Sequence, residues 1–204
     1  MTKCSWIGRF MIPLMRRGNG IMFQSINAST IIKERLASSF GLEKYGRILH
    51  LFKDVDISQD EGFQKLFNGF YRVRNDENWR KEYYTLFESK KNTTSSFEEI
   101  IRILYEKTGR VEASFASKMI ATIDTEMPIW DQYVLRNLGL KLEGTKETRL
   151  SNAISLYRGI RQWYAEYLET ENAEDCIAEF DRFLPKYAWL SPVKKIDCFL
   201  WSMR

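Results

Sequence analysis

The chain has 204 residues, of which 44% are apolar and 28% charged, the balance of a folded globular protein rather than a disordered one. Its net charge of +4 and isoelectric point near 8.9 permit a nucleic-acid partner without requiring one. Three cysteines (Cys4, Cys176, Cys198) and one histidine (His50) form no CxxC pair or ligand cluster, so neither a metal nor another cofactor is expected. The cysteines fit reduced thiols in a cytoplasmic protein.

The opening stretch "MTKCSWIGRFMIPLMRRGNGIMF" is apolar and basic, but Arg9 interrupts its apolar run and no small-x-small cleavage site follows. Residues 1–22 are expected to form an irregular arm ahead of one helical domain, 23–204. Nowhere does an apolar run approach the roughly 20 residues that span a bilayer. "ASTIIKERLASSFG" and "EGFQKLFNGFYRVRNDENWRKEYYTLFES" have helical patterning, the second broken near Asn75–Asp76, whereas "RILHLFKDVDIS" between them suits a short strand or a loop. In "TSSFEEIIRILYEKTG" the residues Phe97, Ile100, Ile101, Leu104 and Tyr105 share one stripe. Ser96 and Glu99 have capping-box spacing, and Gly109 supplies the stop.

A tight turn leads into "VEASFASKMIATID", which places Phe115, Met119 and Ile123 on one helical face and small residues beside them. The loop "TEMP" then opens at Asp131 onto a helix with Val134, Leu135 and Leu138 inward. A longer helix is expected at about 148–169, followed by two short ones divided by Pro185 and Pro192. The predicted fold class is therefore all-α or nearly so. His50 is expected to be structural, and no nucleotide-binding or metalloprotease motif is present.

The succession helix, turn at Gly109, helix, Pro-x-x-Asp loop and helix resembles the helix-hairpin-helix superfamily of DNA glycosylases. The likeness covers residues 96–140 best. Within the superfamily, "EASFASKMIATIDTEMPIWDQYVLRNLGL" with the later "KKIDCFLW" is similar to small bacterial proteins resembling 8-oxoguanine glycosylases. The resemblance implies two helical lobes around a cleft, a hairpin lobe at about 95–168 and a second lobe from the remaining helices. It implies a monomer acting on duplex DNA with a flipped base, away from membranes, in repair or in defence against modified foreign DNA. Asp131 would be the catalytic carboxylate, stabilising positive charge on the sugar as the N-glycosidic bond breaks. Trp130, Tyr133, Phe115, Ser117 and Trp201 would shape the pocket, and Gly109, Arg110 and Lys194 would meet DNA.

Bifunctional relatives carry a Schiff-base lysine on the second hairpin helix. A gapless register from Gly109 puts Ala113 at that position and turns Lys118, five residues on, by roughly 140° around the helix. Lys118 then faces elsewhere and the enzyme is monofunctional, using water. A shortened loop would instead bring Ser117–Lys118 onto the lysine site. The turn "TGRVEA" has one glycine where the family has two, and Glu112 adds a negative charge. Arg72, Arg74, Arg80 and Lys81 in "YRVRNDENWRK" interleave with aromatics, as in a nucleic-acid groove and equally in a solvated helix face. The rival expectation is an inactive relative that binds DNA or protein, with Asp131 only a helix cap.

Overall fold

The structure is a computed structural model that describes residues 25–36 and 40–203; the expected arm at 1–22 lies outside the described residues. The described residues contain helices and no strand. A short α1 (Ala28–Ile31) runs into a π-helical turn (Ile32–Leu36), and α2 covers Phe40–Asp54. The stretch expected to be strand or loop is thus mostly helix. Leu42, Tyr45, Ile48, Leu49 and Phe52 fall at helical spacing on one buried face, a stripe that shows only when the residues before Arg47 are included.

Next come α3 (Glu61–Tyr71) and α4 (Glu77–Lys90), each opened by an aspartate cap. Asp60 accepts the Phe63 N–H at 2.6 Å and Asp76 that of Trp79 at 2.9 Å. The expected break at Asn75–Asp76 is the five-residue linker between them. The two helices share an aromatic core in which Phe63, Phe67, Tyr83, Tyr84 and Phe87 meet largely edge to face.

The hairpin is α5 (Phe97–Thr108) and α6 (Ala113–Ile123). Ser96 caps α5 by accepting the Glu99 N–H at 3.1 Å. The Glu99 carboxylate pairs with Lys90, and this pair together with the Ser96 backbone N–H lowers its pKa. Gly109 ends α5 at φ 67° with open space around it, a left-handed conformation that suits glycine. Far from presenting one face, α6 is buried at Ala113 and throughout 116–122. Its small residues let α5 approach closely, and it becomes the central helix.

The chain finishes with α7 (Gln132–Asn137), α8 (Arg149–Leu168), α9 (Glu171–Phe183), a 3-10 turn (Pro185–Tyr187) and α10 (Pro192–Ser202). Pro192 occupies the first turn of α10, where its missing N–H costs nothing. α10 packs against α7, α8 and α9 and also reaches α1. The buried apolar side chains join into one cluster from Ile26 to Leu200. No described helix is long and apolar enough to cross a membrane.

Candidate active site

The segment between α6 and α7 is an irregular chain whose backbone groups are held one after another. Ser191 Oγ donates to the Thr125 carbonyl at 2.7 Å, and Lys194 Nζ to that of Met127 at 2.6 Å. Tyr157 donates to the Pro128 carbonyl at 2.8 Å. The Ile129 N–H reaches Asp197 Oδ1 at 3.3 Å. At Trp130 the N–H donates to Ser117 Oγ at 2.9 Å and the carbonyl accepts from Ser114 Oγ at 3.0 Å. Three helices (α6, α8 and α10) therefore immobilise a loop with no regular hydrogen bonding of its own.

Asp131 stands at the end of this loop as the cap of α7. Its backbone is extended, and Oδ1 accepts the Tyr133 N–H at 2.8 Å. Its other oxygen accepts no hydrogen bond from the described residues. The carboxylate borders a cleft between α2, the end of α3, α6, α7 and α10, with Tyr45, Phe70, Tyr71, Tyr133 and Trp201 among its walls. Arg72 stands at the rim.

Lys118 lies in the same cleft, 7% exposed. The expectation that Lys118 faces elsewhere is therefore corrected. α6 starts at Ala113 with its axis buried, and Lys118 on that axis points between aromatic rings instead of into solvent. Its Nζ sits 5.3 Å from the Tyr71 ring centroid and 5.0 Å from that of Phe115. Its Nζ makes no salt bridge or hydrogen bond among the described residues, while its carbonyl accepts from Thr122 Oγ1 at 2.8 Å. Loss of water pushes its pKa down, and the Asp131 carboxylate partly opposes that shift. The amine is thus held in a dry, cation-tolerant wall with a carboxylate across the cleft.

The other expected residues divide. Tyr133 and Trp201 line the cleft. Phe115 is packed against Trp79 and Tyr83 and meets the cleft only through Lys118. Ser117 is fully buried and acts on the loop through Trp130. Trp130 is a core residue, stacked at 6.4 Å on Phe97, so its expected place in the pocket wall is corrected: a buried ring facing α5 cannot also face the cleft.

Lys194 is corrected as well. It is 0% exposed, bonded to Asp197 at 2.7 Å and to the Met127 carbonyl, and unavailable to DNA. Asp197 also accepts from Tyr164 at 2.6 Å. Lys195 is buried too and pairs with Asp181. Gly109 and Arg110 are exposed on a separate groove with Lys146 and Arg149. His50 projects into solvent beside Asp54, away from Lys118.

Tyr45, Phe70 and Tyr71 were not legible as cleft residues. Tyr45 is 5% exposed, its hydroxyl has no hydrogen-bond partner among the described residues, and burial pushes its pKa up, so it stays neutral. Burial and the nearby Asp197 raise the Tyr71 phenol likewise. Comparison with models of known families, with curated proteins and with solved structures gives no match.

Proposed function

We propose that the protein is a DNA N-glycosylase in which Asp131 stabilises the cationic sugar and Lys118 is the attacking amine. The observation that carries the reading is the convergence of these two groups, with no direct ion pair between them, in one cleft walled by aromatic rings. A planar base out of its stack finds stacking partners in such walls. Desolvation favours the neutral lysine, the form with a lone pair to donate.

In the proposed step the Nζ lone pair forms a bond to C1′ while the C1′–N glycosidic bond breaks. The bonding pair leaves on the base, which takes up a proton. Asp131, fixed by its cap bond, faces the positive charge that develops on the sugar. The first amine proton goes to the departing base and the second to the ring oxygen as the C1′–O4′ bond opens, which gives an imine; water hydrolyses it, or it loses a C2′ proton and expels the 3′ phosphate by β-elimination, breaking the strand.

Duplexes carrying varied base lesions test this, with and without alkali and with borohydride trapping. The expected result is strand cleavage without alkali and a trapped adduct, both lost in Lys118→Ala. Asp131→Asn is expected to slow base release by about 100-fold or more. Alkali-dependent cleavage that survives Lys118→Ala and fails in Asp131→Asn would instead identify the water-using enzyme. No base release from any duplex would leave a binding protein with Asp131 as a cap.

A further inference from the structure

Arg72 ends α3 in a left-handed conformation, φ 54°, and is the one non-glycine residue with positive φ among the described residues. Its N–H and that of Val73 both return to the Asn68 carbonyl, and Val73 is buried behind it. This is the helix-ending motif in which glycine is the favoured residue, since a Cβ is strained there. An arginine nevertheless occupies it, exposed at the rim of the Lys118–Asp131 cleft.

From Arg72 the linker continues through the exposed Arg74 to Asn75, whose carbonyl is held by Arg80 at 2.7 Å. Asn75 borders a second groove, formed by the α5–α6 turn and the start of α8, which presents Arg110, Lys146 and Arg149. Three virtual bonds of 3.8 Å keep the Arg72 and Asn75 Cα atoms within about 11 Å, so the two grooves adjoin. None of these five cations makes a salt bridge or side-chain hydrogen bond among the described residues. The carboxylate in the groove, Glu112, is half-buried and burial pushes its pKa up, while Arg110 opposes the shift.

We infer that Arg72, Arg74, Arg110, Lys146 and Arg149 form a track for one phosphodiester backbone of duplex DNA, leading from the α5–α6 turn to the cleft mouth. The track rests on the glycosylase reading for its partner, and on the strained Arg72 for its end point. Unpaired cations strung along adjoining grooves match a chain of phosphates, whereas a solvated helix face has no need of an arginine where glycine fits better.

The test is equilibrium binding of the full chain to an undamaged fluorescent duplex across a salt series. Removing one cation that neutralises a phosphate lowers the log–log salt slope by about 0.9. Arg72→Gly should lower it by about that amount and weaken binding several-fold at fixed salt, without lowering Tm. Arg72→Lys should keep the slope, and Lys146→Ala with Arg149→Ala should lower it by about two. Lys53→Ala, a charge removed away from the track, should leave it unchanged. Slopes unaltered by the track variants, or altered equally by Lys53→Ala, overturn the track alone and leave glycosylase action intact. A wild-type chain that fails to bind duplex DNA at low salt overturns the track and the glycosylase reading together. Binding that behaves as expected but without base release supports the track and rejects only the chemistry.

Discussion

Lys118 carries a cost that its surroundings do not fully offset. Burial lowers its pKa below the ordinary lysine value of 10.5, so between those two values the folded protein holds fewer protons than the unfolded chain. Stability then rises with pH across that window, and the penalty is greatest below the folded pKa. Lys118→Met removes the penalty while filling much the same space between Tyr71 and Phe115. We predict that it stabilises the protein at pH 7 by about 1 kcal/mol, the size common for stabilising substitutions at functional positions. The advantage should shrink as pH approaches 10, and urea denaturation at several pH values measures both. Lower stability at pH 7 would mean that the ring contacts outweigh the desolvation. In the same way Asp131→Asn, by removing the opposing charge, should drop the Lys118 titration midpoint further, as followed by NMR of isotope-labelled lysine. An unchanged midpoint would show that the two groups do not interact across the cleft. Asp131 itself was legible, since a Pro-x-x-Asp sequence at a helix start names its own cap. Lys118 was not, because its direction depends on where α6 begins and on the helix being buried nearly all round.

At the level of elements, the clamp on the α6–α7 loop is the unusual feature. Lys194 and Asp197 are three residues apart on α10, and each spends a second bond on the loop backbone. Removing one partner leaves a buried charge alone. We predict that Asp197→Ala destabilises by about 3–5 kcal/mol. Lys194→Met with Asp197→Leu should recover most of that loss, because an apolar pair costs no desolvation, although Met127 and Ile129 then lack partners. Chemical denaturation of both variants decides it, and a double variant no more stable than the single one would refute the stranded-charge account. The spacing of Lys194 and Asp197 was visible in "KKIDCFLW", but adjacent lysines ordinarily mark a wet surface. What inverted that expectation is tertiary: α10 lies under the loop, which one-dimensional patterning does not reveal. Caps, by contrast, are local chemistry. Ser96, Gly109 and Pro192 marked their helix ends because the bonds involved span only a few residues.

On the scale of the whole molecule, the all-α class was legible from periodicity, whereas the way the halves share their core was not. Contacts distant in sequence decide that sharing. Ile26 bonds through its backbone to Asn172, Asn137 to the carbonyls of Leu200 and Met203, and Tyr83 to that of Phe115. Buried side chains of every helix join one cluster, so neither the hairpin segment nor its complement closes a core alone. This argues for a single cooperative unfolding transition rather than one per lobe. Tryptophans report from separate places: Trp79 at the start of α4, Trp130 under α5, and Trp163 within α8, each mostly buried. We therefore predict that urea midpoints from tryptophan fluorescence, near-ultraviolet and far-ultraviolet circular dichroism coincide. A fragment spanning 95–168 should remain largely unfolded, since it would expose the faces of α7 and α8 that α10 covers, along with the α6 surface beneath Tyr83. Separate midpoints, or a fragment that folds cooperatively by itself, would show that the cleft lies between two units able to move independently. The rigid placement of Asp131 relative to Lys118 would then no longer follow from a shared core.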